Sequence, residues 1–291
     1  MYTVTCESTA DLPYAYLKSR KCNVIFYTYF IDDEEFEDNM GRDSCALAKF
    51  YELIKTKRPL TSQISPEKYE EFFHQQLQNG NVLHLSFSNG LSQSVRNAQL
   101  AAATVNKQYS DRKVVVVDSL CGGGGFGLFV DGVLDKRDKG ASFEELCKWA
   151  EENRQKTHLL FFSTDLTFFR RSGRVSAPIM MIGNLLHICP LMRVGKEGKI
   201  AVYAQVVTAK KALKRALQDM ETLAQNGKDY CGKVIIQHSN CWHLAEQTRS
   251  AMKELFPKLQ NVEIHDIGMV MASHCGPGTV AIYFWGNNRN Y

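Results

Sequence analysis

The sequence predicts an α/β protein built as two α/β domains, with a mostly parallel sheet in the first and a mixed sheet in the second. Three observations carry that reading. Short β-rich runs alternate with longer stretches of helical period, the pattern of a parallel sheet covered by helices. The turn Gly195-Lys196-Glu197-Gly198 joins two strand-like segments, so antiparallel pairing is expected in the second half. The chain has 291 residues, 44% hydrophobic and 23% charged, enough to bury a sizeable core without disulfides or a structural metal. Disorder, collagen-like repeats and coiled coil are excluded by the same composition.

In chain order, strands are expected at residues 3–6, 24–30, 81–86, 113–118, 158–163, 199–207, 233–238, 262–267 and 280–285. Between them helices declare themselves by caps and spacing. Ser65 as N-cap and Pro66 at the first helical position precede Tyr69, Phe72, Phe73 and Leu77 on one face. Ser142 and Glu145 form a capping box ahead of Phe143, Leu146, Cys147 and Ala150. Ala212, Leu213, Ala216, Leu217, Met220 and Leu223 draw one apolar stripe, with Lys210, Lys211 and Lys214 turned outward. Pattern alone places the domain border near Lys156, giving domains 1–156 and 157–291.

Charge narrows the partners. Lys+Arg number 35 and Asp+Glu 31, spread along the chain without a basic run, so no nucleic-acid partner is expected. Nine cysteines, an odd number with no CxxC pair, read as reduced, mostly buried thiols of a cytoplasmic protein. The start lacks the basic and apolar regions of a signal peptide. The apolar-rich stretch 178–194 is interrupted by Asn184, His187, Pro190 and Arg193, so no stable membrane anchoring is expected.

Several catalytic templates fail by inspection. No Gly-Lys pair precedes Ser or Thr, so there is no Walker loop, and HExxH and GxSxG are absent. His238 and His243 straddle a strand end with poor metal geometry, and no metal is expected. Gly122-Gly123-Gly124-Gly125-Phe126-Gly127 satisfies GxGxxG after a strand, which admits a nucleotide-binding enzyme of the NAD type. Asp118, Ser119, Leu120 and Cys121 intervene, however, and small residues letting a helix or a ligand chain approach the sheet closely explain the run better.

Hydroxyl clusters lie where strands end. Thr61-Ser62-Gln63 precedes the helix begun by Pro66, and Ser86-Phe87-Ser88-Asn89-Gly90-Leu91-Ser92 runs from a strand into the next helix. Glu7-Ser8-Thr9 follows the first strand. In open α/β sheets, ligands bind beyond the carboxyl ends of strands, and helix N-termini offer N–H groups to a carboxylate or phosphate. Each of these serines also reads as a plain helix cap. His274-Cys275-Gly276-Pro277-Gly278 places an imidazole in a Gly/Pro turn before the last strand, suited to an anionic head group or simply facing solvent.

Taken in order, these segments resemble the DegV family of fatty-acid-binding proteins, which includes the lipid-carrier subunit of bacterial fatty acid kinase. Residues 7–13 look like the family's opening DSTADLP, Thr61 to Pro66 like TSQPSP, and Ser88 to Ser92 like SSGLSGTY. Asp118-Ser119 is similar to its DS, Gly173-Arg174-Val175-Ser176 to GGRIS, and residues 274–278 to HxGPG. Glu7 stands for the family's Asp, Gln93-Ser94-Val95 for Gly-Thr-Tyr, and Phe87 and Asn89 flank Ser88.

The resemblance implies a long-chain fatty acid in a lipid tunnel at the domain junction. Its carboxylate would be bound by Thr61 and Ser92, with Ser62 nearby and His274 completing the polar end. Arg174 would lie at the tunnel mouth or face a partner. It further implies a carrier that is not itself an enzyme and needs no cofactor. Such a carrier presents the acid to a separate ATP-binding kinase subunit for acyl-phosphate formation, toward bacterial phospholipid synthesis.

Residues 159–162, 168–169 and 179–182 offer apolar bulk for the tail, though each also suits a core. At about 0.8 kcal/mol per buried CH₂, a sixteen-carbon chain gains on the order of 10 kcal/mol. A hydrolase using Ser92 with His274 is a further alternative that needs a hydrogen bond from nucleophile to base.

Overall fold

The structure is a computed structural model and describes residues 1–175 and 188–291. Within it the chain forms two compact units, Met1–Arg154 with Gly268–Val270, and Gln155–Ile267 with Met271–Tyr291.

In the first unit, β1 (Tyr2–Glu7), β2 (Cys22–Ile25), β6 (Asn81–Ser86) and β7 (Val114–Asp118) make a parallel sheet in the order β2-β1-β6-β7. Every residue of β6 after Asn81 is buried, as expected of an inner strand covered on both faces. The surrounding helices are α1 (Tyr14–Ser19), α2 (Ala46–Leu53), α3 (Pro66–Leu77), α4 (Ser94–Asn106), α5 (Gly124–Asp138) and α6 (Phe143–Asn153). Two caps form as the sequence indicates. Ser65 Oγ accepts the Lys68 N–H, and the Ser142/Glu145 capping box is closed in both directions.

The expected strand at 24–30 is two strands. β2 ends at Ile25, and β3 (Thr28–Ile31) starts a separate antiparallel sheet of order β4-β3-β5, with β4 at Glu34–Glu37 and β5 at Pro59–Thr61. The break falls at Phe26-Tyr27, where the Tyr27 N–H is taken by Ser8 Oγ. A continuous run of β-branched and aromatic residues hides such a change of sheet. β4 and β5 carry no hydrophobic alternation and were not expected.

The second unit holds a six-stranded mixed sheet of order β10-β9-β8-β13-β11-β12. Its strands are β8 (Thr157–Ser163), β9 (Cys189–Val194), β10 (Ile200–Val206), β11 (Val234–His238), β12 (Val262–Asp266) and β13 (Thr279–Trp285). β9 and β10 pair antiparallel across the turn at Gly195, whose N–H donates to Lys199 O at 2.9 Å. Only β11 and β12 run parallel among the described pairs.

The stripe on helix Ala209–Leu223 is core. Ala212, Leu213, Ala216, Leu217 and Met220 pack with Leu160, Phe162, Leu191, Ile236 and Phe284. Strand alternation therefore divides the quartet at 159–162: Leu160 and Phe162 fill this core, while Leu159 and Phe161 point to the other face, where Phe161 meets Phe169 at 5.9 Å between ring centres. Residues 179–182, Ser176 and His187 lie outside the described residues.

Candidate functional site

The candidate residues are placed by separate elements in each unit. In the first, Thr61 ends β5 opposite Tyr29, and Ser62 follows it, donating its N–H to Thr28 O. The Ser62 and Thr28 hydroxyls share a hydrogen bond of 2.6 Å. This segment is then laced to the start of α4: the Ile64 N–H donates to Ser94 Oγ at 3.2 Å, and Asn97 Nδ2 donates to Ile64 O at 2.8 Å.

Ser92 sits in a tight turn, its N–H bonded to Ser88 O, and its hydroxyl donates to Ser94 Oγ at 3.2 Å while accepting the Ser94 N–H. Thr61, Ser62 and Ser92 are half-buried, and Ser94 is fully buried. Two hydroxyl motifs thirty residues apart in sequence are thus joined by the Ile64–Ser94 bond.

Behind them lies a feature that spacing did not reveal. Glu7, fully buried at the end of β1, receives four donors: Tyr69 Oη at 2.6 Å and Ser86 Oγ at 2.5 Å on Oε1, the Phe87 N–H at 2.9 Å and Tyr27 Oη at 3.3 Å on Oε2. His84 Nε2 lies 3.5 Å from Oε1. Burial, reinforced by the Glu7 charge, raises the Tyr27 and Tyr69 phenols well above their ordinary range, so both keep their protons. Tyr69 had been read only as part of a core stripe. The remaining signal was an acidic residue at a strand end, which by itself says little.

The glycine run is occupied by packing. The five residues Ser119 to Gly123 separate the end of β7 from the start of α5, unlike the direct strand-to-helix turn of a dinucleotide site. Gly127 packs its bare Cα against Ala10 O, and Gly122 against the Phe87 ring; a Cβ at either would sit 2.4 or 2.5 Å from its neighbour. Asp118 accepts N–H bonds from Leu120 and Asn89, which closes the loop.

In the second unit, His274 lies in the last turn of helix Met269–Cys275, not in the turn proper, which begins at Gly276. Sequence placed it in the turn because Gly276-Pro277-Gly278 follows directly; the helix extends up to that stop signal. Gly276 adopts φ +64 and packs on Phe168, and its carbonyl accepts the Ser239 hydroxyl. The His274 imidazole is half-buried, and burial, aided by the Arg174 charge, pushes its pKa down to about 4. Arg174 follows the left-handed Gly173, is exposed, and donates Nη1 to Ser172 O. A neutral imidazole beside a guanidinium is suited to receive an anion: the charge it gains stabilises the imidazolium.

No helix among the described residues is long and apolar enough to cross a membrane. The nine cysteines are free, with Cys6, Cys22, Cys121, Cys189 and Cys275 buried.

The model of the DegV family, described as uncharacterised proteins, matches residues 1–287. A DegV domain-containing protein of Clostridium perfringens is 30% identical over 289 residues, covering 99% of this chain and 98% of the relative. Among solved structures, a fatty-acid-binding DegV family protein from Thermus thermophilus superposes with a TM-score of 0.84 at 23% identity, over 98% of this chain and 99% of that one. A DegV family protein from Eubacterium eligens loaded with heptadecanoic acid gives 0.85 at 19% identity, over 99% and 100% of the two chains.

Proposed function

The chain belongs to the DegV family, and from that premise we propose that it binds one long-chain fatty acid and presents it to a separate kinase subunit. Thr61, Ser62 and Ser92 of the first unit orient the carboxyl head group, and His274 of the second completes the polar end. Arg174 faces the ligand's entrance or the partner. The observation that supports this reading is the lacing of the Thr61-to-Ile64 segment to the start of α4, through the Ile64 bonds to Ser94 and Asn97. Related proteins that bind fatty acids support it.

The division of labour is physical. The acyl tail, enclosed in a tunnel, supplies affinity through apolar burial, and the hydroxyls set orientation through hydrogen bonds of about 1 kcal/mol each. The tunnel wall takes residues such as Leu159, Phe161, Phe168 and Phe169, apolar side chains outside the core that Leu160 and Phe162 fill. The carrier needs no cofactor and performs no phosphoryl transfer; a partner with an ATP site makes the acyl phosphate, in the cytoplasm, for phospholipid synthesis.

Native mass spectrometry of the purified protein tests the binding. One added fatty-acid mass is expected, and a chain that stays empty and also ignores added oleate and palmitate would sink the reading. The double variant Thr61→Ala with Ser92→Ala is expected to bind oleate at least ten-fold more weakly, on the loss of about two head-group hydrogen bonds. Unchanged oleate affinity in that variant would show the head group lies elsewhere.

A further inference from the structure

Lys210, Lys211 and Lys214 stand at the end of helix Ala209–Leu223 where a cation is least welcome. The N-terminus of a helix is the positive pole of its dipole, where acidic side chains stabilise and cations destabilise. Here Thr208 caps the helix, Lys210 and Lys211 fill the first turn with Lys214 just beyond, and no acidic residue accompanies them. All three lysines are exposed, and none pairs with a carboxylate among the described ion pairs. Further along the same helix the charges are matched: Arg215 is held by Asp219 at 2.9 Å, and Glu221 by Lys228 at 3.7 Å. Cations gathered against a dipole of the same sign break a local rule with no gain to the helix, and such departures mark functional positions.

The same lysines line a cleft. It lies between helix Ala209–Leu223 and helix Trp242–Leu255, both packed on the core of the second unit, and has a volume of about 690 Å³. Leu213 and Leu217 from the first helix and Ala251 and Leu255 from the second give it an apolar floor. Against the three lysines the second helix sets a single carboxylate, Glu254, so the lining is cationic on balance. Pockets for small ligands run to roughly 300–1,000 Å³ and are mostly apolar with a few polar groups at fixed points. The cleft matches that description and is concave, a shape that a flat bilayer surface does not enter. Its charge and floor together complement a small amphipathic anion.

We propose that this cleft is a second lipid site, on the face of the second unit, which holds one long-chain fatty acid with its carboxylate among Lys210, Lys211 and Lys214 and its tail along Leu213, Leu217, Ala251 and Leu255. The ligand supplies the negative charge that the helix end lacks. The site goes beyond the carrier function proposed above and does not rest on Thr61, Ser62, Ser92 or His274. Its lysines are exposed and screened by salt, so its ligand exchanges with solvent, unlike an acid enclosed in a tunnel.

Native mass spectrometry with oleate added below its aggregation threshold counts the sites. The wild type is expected to take up two oleates, the second falling away as salt is raised. Lys210→Glu with Lys214→Glu is expected to weaken the second oleate roughly ten-fold or more and to keep the first. These changes put acids at the positive pole of the helix, so thermal stability is expected to hold or rise. Ala251→Phe fills the cleft, leaves its charge alone, and is expected to weaken the second oleate likewise. A second oleate that survives either variant, or a single oleate indifferent to both, overturns the proposal and spares the tunnel reading. A single oleate lost in both cleft variants and kept by Thr61→Ala with Ser92→Ala upholds the cleft and overturns the tunnel reading. If the lysines instead govern flotation with phosphatidylglycerol vesicles and no oleate, the patch reads a membrane surface and the proposal falls.

Discussion

The two units carry different candidate groups. The first offers hydroxyls and backbone N–H groups, Thr61, Ser62, Ser92 and Ser94, and the buried carboxylate of Glu7, which four donors hold. The second offers an imidazole, His274, kept neutral by burial and by Arg174. The difference lies in how each set of groups responds to pH. Hydroxyls keep the same protons across the working pH range, whereas the imidazole can gain a charge as pH falls.

The sharpest way to break the comparison is at Glu7. Glu7→Ala strands the buried Tyr69, Ser86 and Phe87 donors, and urea unfolding of the first unit is expected to show a loss of about 3–5 kcal/mol. A loss under 1 kcal/mol would mean that the carboxylate is not the anchor of this half.

The next largest effect concerns His274. Its pKa is lowered from 6.5 to about 4, so between those values the unfolded chain takes up a proton that the folded chain refuses. The contribution of this group to stability is present above pH 6.5 and is lost as pH falls toward 4. His274→Asn is expected to flatten that part of the pH profile, by up to about 3 kcal/mol before solvent screening reduces it. NMR titration checks the same point: the imidazole pKa should rise when oleate binds, and an unmoved value would separate His274 from the head group.

A smaller effect tests the support beneath His274. Gly276→Ala places a Cβ 2.3 Å from the Phe168 ring at a backbone φ of +64, and a loss of about 1–3 kcal/mol is expected in thermal unfolding. The smallest is a control remote from the hydroxyl motifs. Ser142→Ala opens the capping box of α6 and should cost about 1 kcal/mol with oleate affinity unchanged.

Much of this was legible in the sequence, for reasons that differ by element. β6 was read to the residue because a buried strand bounded by Gly80 and a hydroxyl cluster is unambiguous. The caps at Ser65 and Ser142 are local devices and form locally. The change of sheet at Phe26-Tyr27 was not legible, since Val24 to Phe30 is a continuous run of β-branched and aromatic residues and the Tyr27 N–H at the break is taken by a distant hydroxyl, Ser8.

Of the candidate groups, the motifs gave Thr61, Ser62, Ser92, Arg174 and His274. They did not give Tyr27 or Tyr69, which meet Ser86 at Glu7 only because β1, the β2–β3 link, α3 and β6 come together there. A hydrogen-bond network assembled from four separate segments leaves no trace in spacing. At 159–162 both readings stay open in the sequence, because an all-apolar strand conceals which face is core, and the structure assigns Leu160 and Phe162 to it.

The small antiparallel sheet of the first unit has a bearing on solubility. Its two outer strands are poor templates for a stranger: β4 carries Glu34, Glu35 and Glu37 on an exposed edge, and β5 begins with Pro59, which has no N–H to give. A strand from another copy adding to β4 would stack like charges along the new ladder, and one adding to β5 would meet a missing donor. A three-stranded sheet this short would otherwise invite runaway end-to-end growth, and these few residues keep it finite.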